Sequence, residues 1–411
     1  MGRFVPTEQI GVGGLVIGER ERAYVEQVLA SNRLSYGPFS QKFERLFAEI
    51  HQTRQAIYCS SGTSALHLAI SALVEANGWG DGDEVLVPAV TFIASSNVVL
   101  HNRLRPVFVD VERDTYNLDP AQLERHLTSR TRAIMPVHMF GLPADMGPVM
   151  DFARQHRLKV VEDSCETMFA KYKGKAVGSF GDVGCFSTYV AHFLVTGVGG
   201  LAITDNPDLH VIMRSLMNHG RDSIYMSITD DQGKTGEALH EIVARRFRFV
   251  RVGHSWRVTE LEAALGLAQL EQYHAIMSRR AEIARRYLKG MEGLQHYLQL
   301  PTIPADREHV FMLFPIVVRE ADKRDLVNYL EDRMIETRDM MPLLSQPVYH
   351  RLFGDLLPQY PVAQWIDRGG FYIGCHQYLT NDQVDYIIDT VKEFVTKHAR
   401  STAGERAPGR S

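Results

Sequence analysis

Short apolar runs typical of buried strands recur through the first half of the chain, and segments of helical spacing separate them. These runs begin near residues 56, 83, 106, 133 and 159. Strands that alternate with helices are joined by parallel crossovers, because each helix returns the chain to the edge where the previous strand began. The alternation therefore predicts an α/β fold with a doubly wound, mostly parallel sheet and a ligand site at the carboxyl ends of its strands.

The composition narrows the possible partners and compartment. Hydrophobic residues make up 45% of the 411 residues and charged residues 23%, which is ordinary for a globular chain with room for one large and one smaller domain. A formal charge of −4 argues against nucleic acid or an anionic membrane as partner. The four cysteines show no C-x-x-C spacing, so we predict neither a disulfide framework nor a metal site. No apolar run approaches the about 18 residues that span a bilayer, and no signal-peptide core is present, so we expect a cytoplasmic protein.

One stretch, 185–200, carries an unusual combination of side chains. It reads CFSTYVAHFLVTGVGG and is followed by the strand-like LAIT. The first residues are apolar, hydroxyl groups follow, and the glycines at the end indicate a tight turn. A strand, a turn and a second strand would hold His192 firmly.

Several residues of this stretch occur at matching places in a known enzyme family. Ser187 and the glycines at 197, 199 and 200 match residues of that family. Outside this stretch, the SGTS turn at 61–64 matches the family as well. From roughly residue 6 to residue 395 the chain resembles the nucleotide-sugar aminotransferases and dehydratases of the aspartate aminotransferase fold (fold type I), which use pyridoxal phosphate (PLP). The resemblance implies a large cofactor-binding domain with an N-terminal segment over 1–287, a smaller C-terminal α/β domain over 288–398 and a disordered tail over 399–411.

The resemblance assigns cofactor contacts to residues at the predicted strand ends. Gly62, Thr63 and Ser64 match a phosphate-binding turn, although the same residue types cap ordinary helices. Phe92 matches an aromatic ring that stacks on the pyridine, although such a residue is also typical of a core. Asp163 matches the aspartate that keeps the pyridine nitrogen protonated, although a carboxylate there could cap the next helix. The other matches are Glu166 near the ring hydroxyl, Ser187 five residues before the reactive position, and Ser255, which replaces an asparagine that reaches the phosphate of a neighbouring subunit's cofactor.

The same resemblance implies residues that face the substrate. Arg338 lies in a segment that borders the substrate in the family, although an arginine in a loop is commonly solvated. His219 and Arg221 open a long polar segment that reaches residue 251. Sites in this family are built from two chains, so a homodimer is implied.

His192 stands where most of the family carries the lysine that holds PLP as a Schiff base. Imidazole forms no stable Schiff base, but its unperturbed pKa of about 6.5 suits a base near neutral pH. The resemblance then implies pyridoxamine phosphate (PMP) bound without a covalent link and His192 as the catalytic base. It implies 3-dehydration of a nucleotide-linked 4-keto-6-deoxysugar with glutamate as amino donor, as in the histidine-containing 4-keto-6-deoxysugar 3-dehydratases. No cysteine lies between Phe186 and Ser255, which excludes the iron–sulfur cluster of a related group.

Four alternatives stay open. The chain could be a sugar aminotransferase with a displaced lysine, for which Lys171, Lys173 and Lys175 are the near candidates, or with none. It could be a non-catalytic cofactor- or sugar-binding protein, whose mark would be loss of Asp163. It could act on a substrate other than a nucleotide sugar. His192 could also be no more than a satisfied core histidine.

Overall fold

The structure is a computed structural model that describes residues 4–222 and 231–405, with side chains through residue 397. Its strands are β1 Gln55–Cys59, β2 Glu84–Pro88, β3 Arg105–Val109, β4 Thr131–Ile134, β5 Lys159–Asp163, β6 Lys171–Tyr172, β7 Lys175–Ala176, β8 Val183–Ser187, β9 Gly200–Thr204, β10 Leu298–Gln299, β11 Leu313–Val318, β12 Thr337–Asp339 and β13 Gly370–Gly374. Its helices are α1 Glu19–Ser31, α2 Pro38–Ile50, α3 Gly62–Asn77, α4 Ile93–His101, α5 Leu123–His126, α6 Met146–His156, α7 Pro207–Met217, α8 Gly236–Arg245, α9 Glu260–Leu270, α10 Tyr273–Gly290, α11 Lys323–Glu331, α12 Pro347–Phe353, α13 Pro361–Gly369 and α14 Asn381–Glu405. None of the helices in the described ranges combines the length and the apolar composition needed to span a bilayer.

A seven-stranded sheet in the order β1-β9-β8-β5-β4-β2-β3 forms the centre of the fold. Every neighbouring pair is parallel except the two pairs that include β9, so all strands but β9 run in one direction. The predicted α/β class with a mostly parallel sheet is thereby confirmed. In β2, Val85 and Val87 pack into one core cluster and Leu86 into another, because helices cover both faces of the sheet.

The stretch around His192 joins β8 to β9 in an antiparallel pair, with Ser187 opposite Gly200. This confirms the strand, turn and strand predicted there. Gly200 lies against the start of α3: a Cβ on it would stand 2.4 Å from the Ser61 carbonyl oxygen and 2.5 Å from the Gly62 nitrogen. Only glycine permits this close approach, which brings the turn of His192 to the amino end of α3.

A second sheet of four strands, in the order β10-β11-β13-β12, lies in the C-terminal part of the chain. Apolar faces of α10, α11 and α14 pack with it into one core. Helix α10 crosses the expected domain boundary, since Ile276 belongs to the core around α2 and β1, whereas Ile283 and Tyr287 belong to the core of the small sheet. The division at residue 288 stays a prediction.

The carboxyl-terminal helix enters the segment expected to be a disordered tail. Helix α14 runs to Glu405, and the disordered tail expected over 399–411 stays a prediction. Adding a residue to an existing helix costs little because each addition gains a hydrogen bond, so the helix continues beyond Val395, which is buried. The rest of the predicted tail, 406–411, lies outside the described residues.

Candidate active site

The carboxyl ends of β1, β2, β5 and β8 lie at one edge of the large sheet. The segments that leave these strands carry Gly62, Phe92, Asp163 and His192. Loops that follow parallel strands gather at this edge, which is where doubly wound sheets bind ligands. The contacts below show which of the predicted site residues meet there.

The amino end of α3 forms the first wall of the site. Ser61 caps the helix: its Oγ accepts a hydrogen bond from the Ser64 nitrogen at 3.0 Å. A Cβ placed on Gly62 would lie 2.8 Å from the Ser187 Cβ and 2.9 Å from the Cys165 Sγ, so Gly62 joins the loops after β1, β5 and β8. The first-turn N–H groups of a helix have no carbonyl partner within it, and the helix dipole makes this end positive. Ser61 therefore caps the helix in the ordinary way, and the same helix end is also suited to bind the phosphate group of PLP.

Asp163 and Phe92 form the second wall. Asp163 ends β5, is 4% exposed, and accepts hydrogen bonds from the Ser95 hydroxyl at 2.7 Å and the Cys165 nitrogen at 3.2 Å. Ser95 lies in the first turn of α4, and Phe92 is the residue that precedes that helix. Phe92 is 58% exposed, so its ring is not part of the core and can cover a ligand ring. A buried carboxylate beside an exposed aromatic ring fits a protonated pyridine.

Glu166 is a buried carboxyl near Asp163. Its Oε2 accepts a hydrogen bond from the Phe140 nitrogen at 2.8 Å. Burial raises the pKa of the Glu166 carboxyl to about 7, and the nearby Asp163 charge acts in the same direction. A carboxyl that is half protonated near neutral pH can either donate a hydrogen bond to a ligand hydroxyl or accept one. The predicted place of Glu166 beside the ring hydroxyl agrees with this chemistry and stays a prediction.

His192 occupies the turn between β8 and β9. Its backbone nitrogen donates to the Tyr189 carbonyl at 2.9 Å, and its carbonyl accepts from Arg280 Nη2 at 3.2 Å. Burial and the Arg280 charge lower the pKa of His192 to about 4, and the nearby Cys165 backbone acts in the opposite direction. Among the described residues the buried Nδ1 has no hydrogen-bond partner. The pKa of the folded imidazole thus lies below the unperturbed value of about 6.5, and the ring is neutral at pH 7.

Lysine side chains lie away from this group of residues. Lys171, Lys173 and Lys175, the near candidates in sequence, are exposed on the β6–β7 hairpin. Of the ten lysines in the chain, several pair with carboxylates elsewhere and the others are exposed. The carboxylate pairs are Lys42 with Glu271, Lys159 with Asp182, Lys173 with Asp306, Lys323 with Asp339 and Lys397 with Glu393. Within one chain, none of these amines stands in for the missing lysine.

Ser255 and His219 form a separate cluster behind the amino end of α3. Arg257 Nη2 donates to the Ser255 hydroxyl at 2.9 Å and lies 3.0 Å from His219 Nε2. The cluster is tied to the loop before α3, because the Ser60 nitrogen donates to the Trp256 carbonyl at 2.8 Å. The assigned roles of Ser255 in phosphate binding and of His219 in substrate binding stay predictions.

Arg221 and Arg338 stand apart from His192. Arg221 Nη1 donates to the Arg246 carbonyl at 2.7 Å, and its guanidinium packs on Phe247 and Phe249. Part of the polar segment that Arg221 opens, 223–230, lies outside the described residues.

Arg338 pairs with Glu336, which immediately precedes β12, and its side chain is half exposed. Burial raises the pKa of Tyr372, the residue opposite Arg338 on β13, with Glu166 acting in the same direction and Arg338 against it. The substrate role of Arg338 stays a prediction.

The sequence patterns missed Ser95, Cys165 and Arg280. Ser95 and Cys165 are small polar residues in loops and first turns, which carry no distinctive signal. Arg280 did carry a signal in the sequence, because it lies at helical spacing from the apolar residues Ile276, Ile283 and Tyr287 on the buried face of α10. A charge at such a position indicates a buried partner.

Comparison with known proteins identifies related chains. A profile described as the DegT/DnrJ/EryC1/StrS aminotransferase family matches residues 16–392. The GDP-perosamine synthase of Escherichia coli O157:H7 is 35% identical over 395 residues, which cover 95% of this chain and 99% of that protein. A solved GDP-4-keto-6-deoxymannose-3-dehydratase, a histidine-to-asparagine mutant with bound GDP-perosamine, is 25% identical, with a TM-score of 0.83 over 94% of this chain and 100% of that one. A Streptococcus pneumoniae protein named as a sugar aminotransferase, solved in its PMP form, is 27% identical, with a TM-score of 0.85 over 94% and 99%.

Proposed function

The chain belongs to the DegT/DnrJ/EryC1/StrS aminotransferase family, and from this premise we propose that it acts on a nucleotide-linked 4-keto-6-deoxysugar with PLP and PMP as its cofactors. The reaction that the site geometry supports best is 3-dehydration with His192 as the base. One observation carries this choice: the imidazole of His192 is neutral and its buried Nδ1 has no hydrogen-bond partner in the described part of the chain, at the position where the resemblance expects the lysine.

The residues of the site fit the cofactor. When bound, it supplies an amine for the sugar's keto group and a ring that accepts electrons. The amino end of α3 at Gly62 and Thr63 would bind the phosphate, and Phe92 would cover the ring. Asp163 would hold the proton on the ring nitrogen, since its carboxylate is buried and oriented by Ser95. Together these contacts would hold the cofactor without a covalent tether.

His192 performs the proton transfers. Its Nδ1 has no hydrogen-bond partner in the described part of the chain, so it would be available to take a proton from the reacting carbon. Loss of that proton would allow the neighbouring 3-hydroxyl of the sugar to leave, and the imidazolium could protonate the departing oxygen. An imidazole cannot release the product by amine exchange, so water would release the sugar together with ammonia. The two electrons that replace the C–O bond would come from glutamate, which would restore the amine of the cofactor and leave as 2-oxoglutarate.

Transamination to an amino sugar is the second candidate. By the names of the relatives, it is better supported than dehydration, because the 35% identical protein is a GDP-perosamine synthase. Against it stands the lack of a lysine beside Asp163 in the described structure. A non-catalytic binding protein is disfavoured, because Asp163 is retained and held by two hydrogen bonds.

The test supplies purified protein with PLP, glutamate and a panel of 4-keto-6-deoxysugars that differ in the nucleotide. A product lighter by one oxygen atom, together with ammonia and 2-oxoglutarate, supports dehydration, whereas an amino sugar supports transamination and refutes the leading proposal. His192→Asn should lower the dehydration rate at least about 100-fold while PMP still binds, because only the base is removed. Conversion of no sugar in the panel, with PMP bound, would favour another substrate or a binding role.

A further inference from the structure

Arg280 is a fully buried cation that contacts the turn of the catalytic histidine. It lies in α10 with 1% of its surface exposed. Its acceptors lie in segments that adjoin strands of both sheets. They are the carbonyl oxygens of His192 at 3.2 Å, Phe311 at 3.2 Å, Met312 at 2.9 Å and Cys375 at 3.4 Å, and Gln377 Oε1 at 2.9 Å.

All of these acceptors are neutral. No carboxylate in the described part of the chain is paired with Arg280, and its guanidinium packs over the Phe193 ring at 4.6 Å. Burial lowers the pKa of Arg280 to about 10, which leaves it charged at neutral pH. A buried charge without a counterion is costly, and its field is not cancelled locally. The field therefore reaches the groups packed against it.

We propose that Arg280 is a positioning residue for His192: it fixes the turn that carries the imidazole and keeps a positive charge beside the ring. This inference deepens the proposed function and rests on it, since it concerns the same base. The planar guanidinium suits the task because it donates to several carbonyls in fixed directions, which an ammonium cannot do equally well.

The charge acts on the protonation of its neighbours. Burial and Arg280 lower the pKa of His192, and the same two causes lower the pKa of His376 in the loop after β13. The other titratable groups that face this region are Asp163 and Cys165 after β5, and Cys375 and Tyr378 near His376. An imidazole must be neutral to accept a proton, and the nearby cation favours that neutral form while it weakens the imidazole as a base.

Two variants separate charge from geometry. Arg280→Gln removes the charge but keeps a donor, whereas Arg280→Lys keeps the charge but loses the planar fork. Arg279→Gln is the matched control, because Arg279 lies on the same helix and donates to the Leu379 carbonyl at 2.6 Å without contacting the His192 turn. Circular dichroism checks that each variant folds.

The readout is the pH titration of the His192 ring by NMR in histidine-labelled protein, with the resonance assigned by its loss in His192→Asn. Arg280→Gln should raise the midpoint by about one pH unit or more. Arg280→Lys and Arg279→Gln should leave it within about half a unit. In turnover, Arg280→Lys should lower kcat about tenfold with little change in KM, because the turn is less firmly held.

An unmoved His192 midpoint in folded Arg280→Gln refutes the inference. If that variant does not fold, the turnover of Arg280→Lys becomes the test. A kcat equal to that of the wild type in Arg280→Lys would refute the positioning role. The NMR titration needs no substrate, so the role of Arg280 and the proposed dehydration can be refuted independently of each other. A shifted midpoint in a protein that converts no sugar overturns the proposed function alone, and an unmoved midpoint in an active enzyme overturns the role of Arg280 alone.

Discussion

Gly62→Ala should weaken PLP and PMP binding, because glycine 62 lies where three loops of the site meet. The added Cβ would stand 2.8 Å from the Ser187 Cβ and 2.9 Å from the Cys165 Sγ. Carbon atoms in contact are about 3.5 to 4 Å apart, so one partner must move by about 0.7 Å or more. Ser187 is held in β8, and Cys165 is a short side chain beside Asp163, so the amino end of α3 is the part that shifts.

The shift carries a measurable cost. Overpacking by one methyl group costs about 1 to 3 kcal/mol. In the free protein the helix end can relax outward, and alanine also favours the helix slightly, so the stability change should be small. On cofactor binding the helix end must return to meet the phosphate, and the strain then appears as a loss of affinity of about 5- to 150-fold.

Calorimetric titration of the apoprotein with PLP and with PMP measures this loss. Gly80→Ala is the control, because a Cβ at that position has no atom within 4 Å. The control should bind like the wild type. If Gly62→Ala binds both cofactors within about twofold of the wild type, the amino end of α3 is not the phosphate site.

Two further outcomes follow from the histidines. In His192→Lys, borohydride reduction should attach PLP covalently to the peptide that contains residue 192, and peptide mass spectrometry detects the added mass. If the variant binds PLP but this peptide stays unlabelled, the match of position 192 to the family's lysine is refuted. His51 is fully buried with its Nε2 accepting from the Phe169 nitrogen at 3.3 Å, and burial lowers its pKa from 6.5 to about 4. Below pH 6.5 the unfolded chain therefore binds a proton at His51 that the folded chain does not bind. The free energy of unfolding falls by up to about 1.4 kcal/mol per pH unit between pH 6.5 and 4. Urea unfolding at pH 7.5, 6 and 5 checks this, and an equal slope in His51→Gln would assign the loss to other groups.

Much of the fold could be predicted because it depends on local patterns. The alternation of apolar strands with helical segments requires crossovers, and crossovers produce a mostly parallel sheet. Glycines at 197, 199 and 200 marked the turn between β8 and β9. The end of α14 at Glu405 could not be predicted, because a polar terminal segment carries no signal of where an existing helix ends.

Residue identities in the sequence determined the family, the edge of the sheet at which a ligand site is expected, and the presence of an imidazole at position 192. Only the tertiary structure decided how that imidazole behaves, because its neighbours come from distant parts of the chain. Arg280 lies 88 positions from His192, and its contact with the turn appears only after α10 packs between the two sheets. Patterns within a segment report the period and polarity of that segment, whereas pKa shifts, close contacts and uncompensated charges depend on which segments meet.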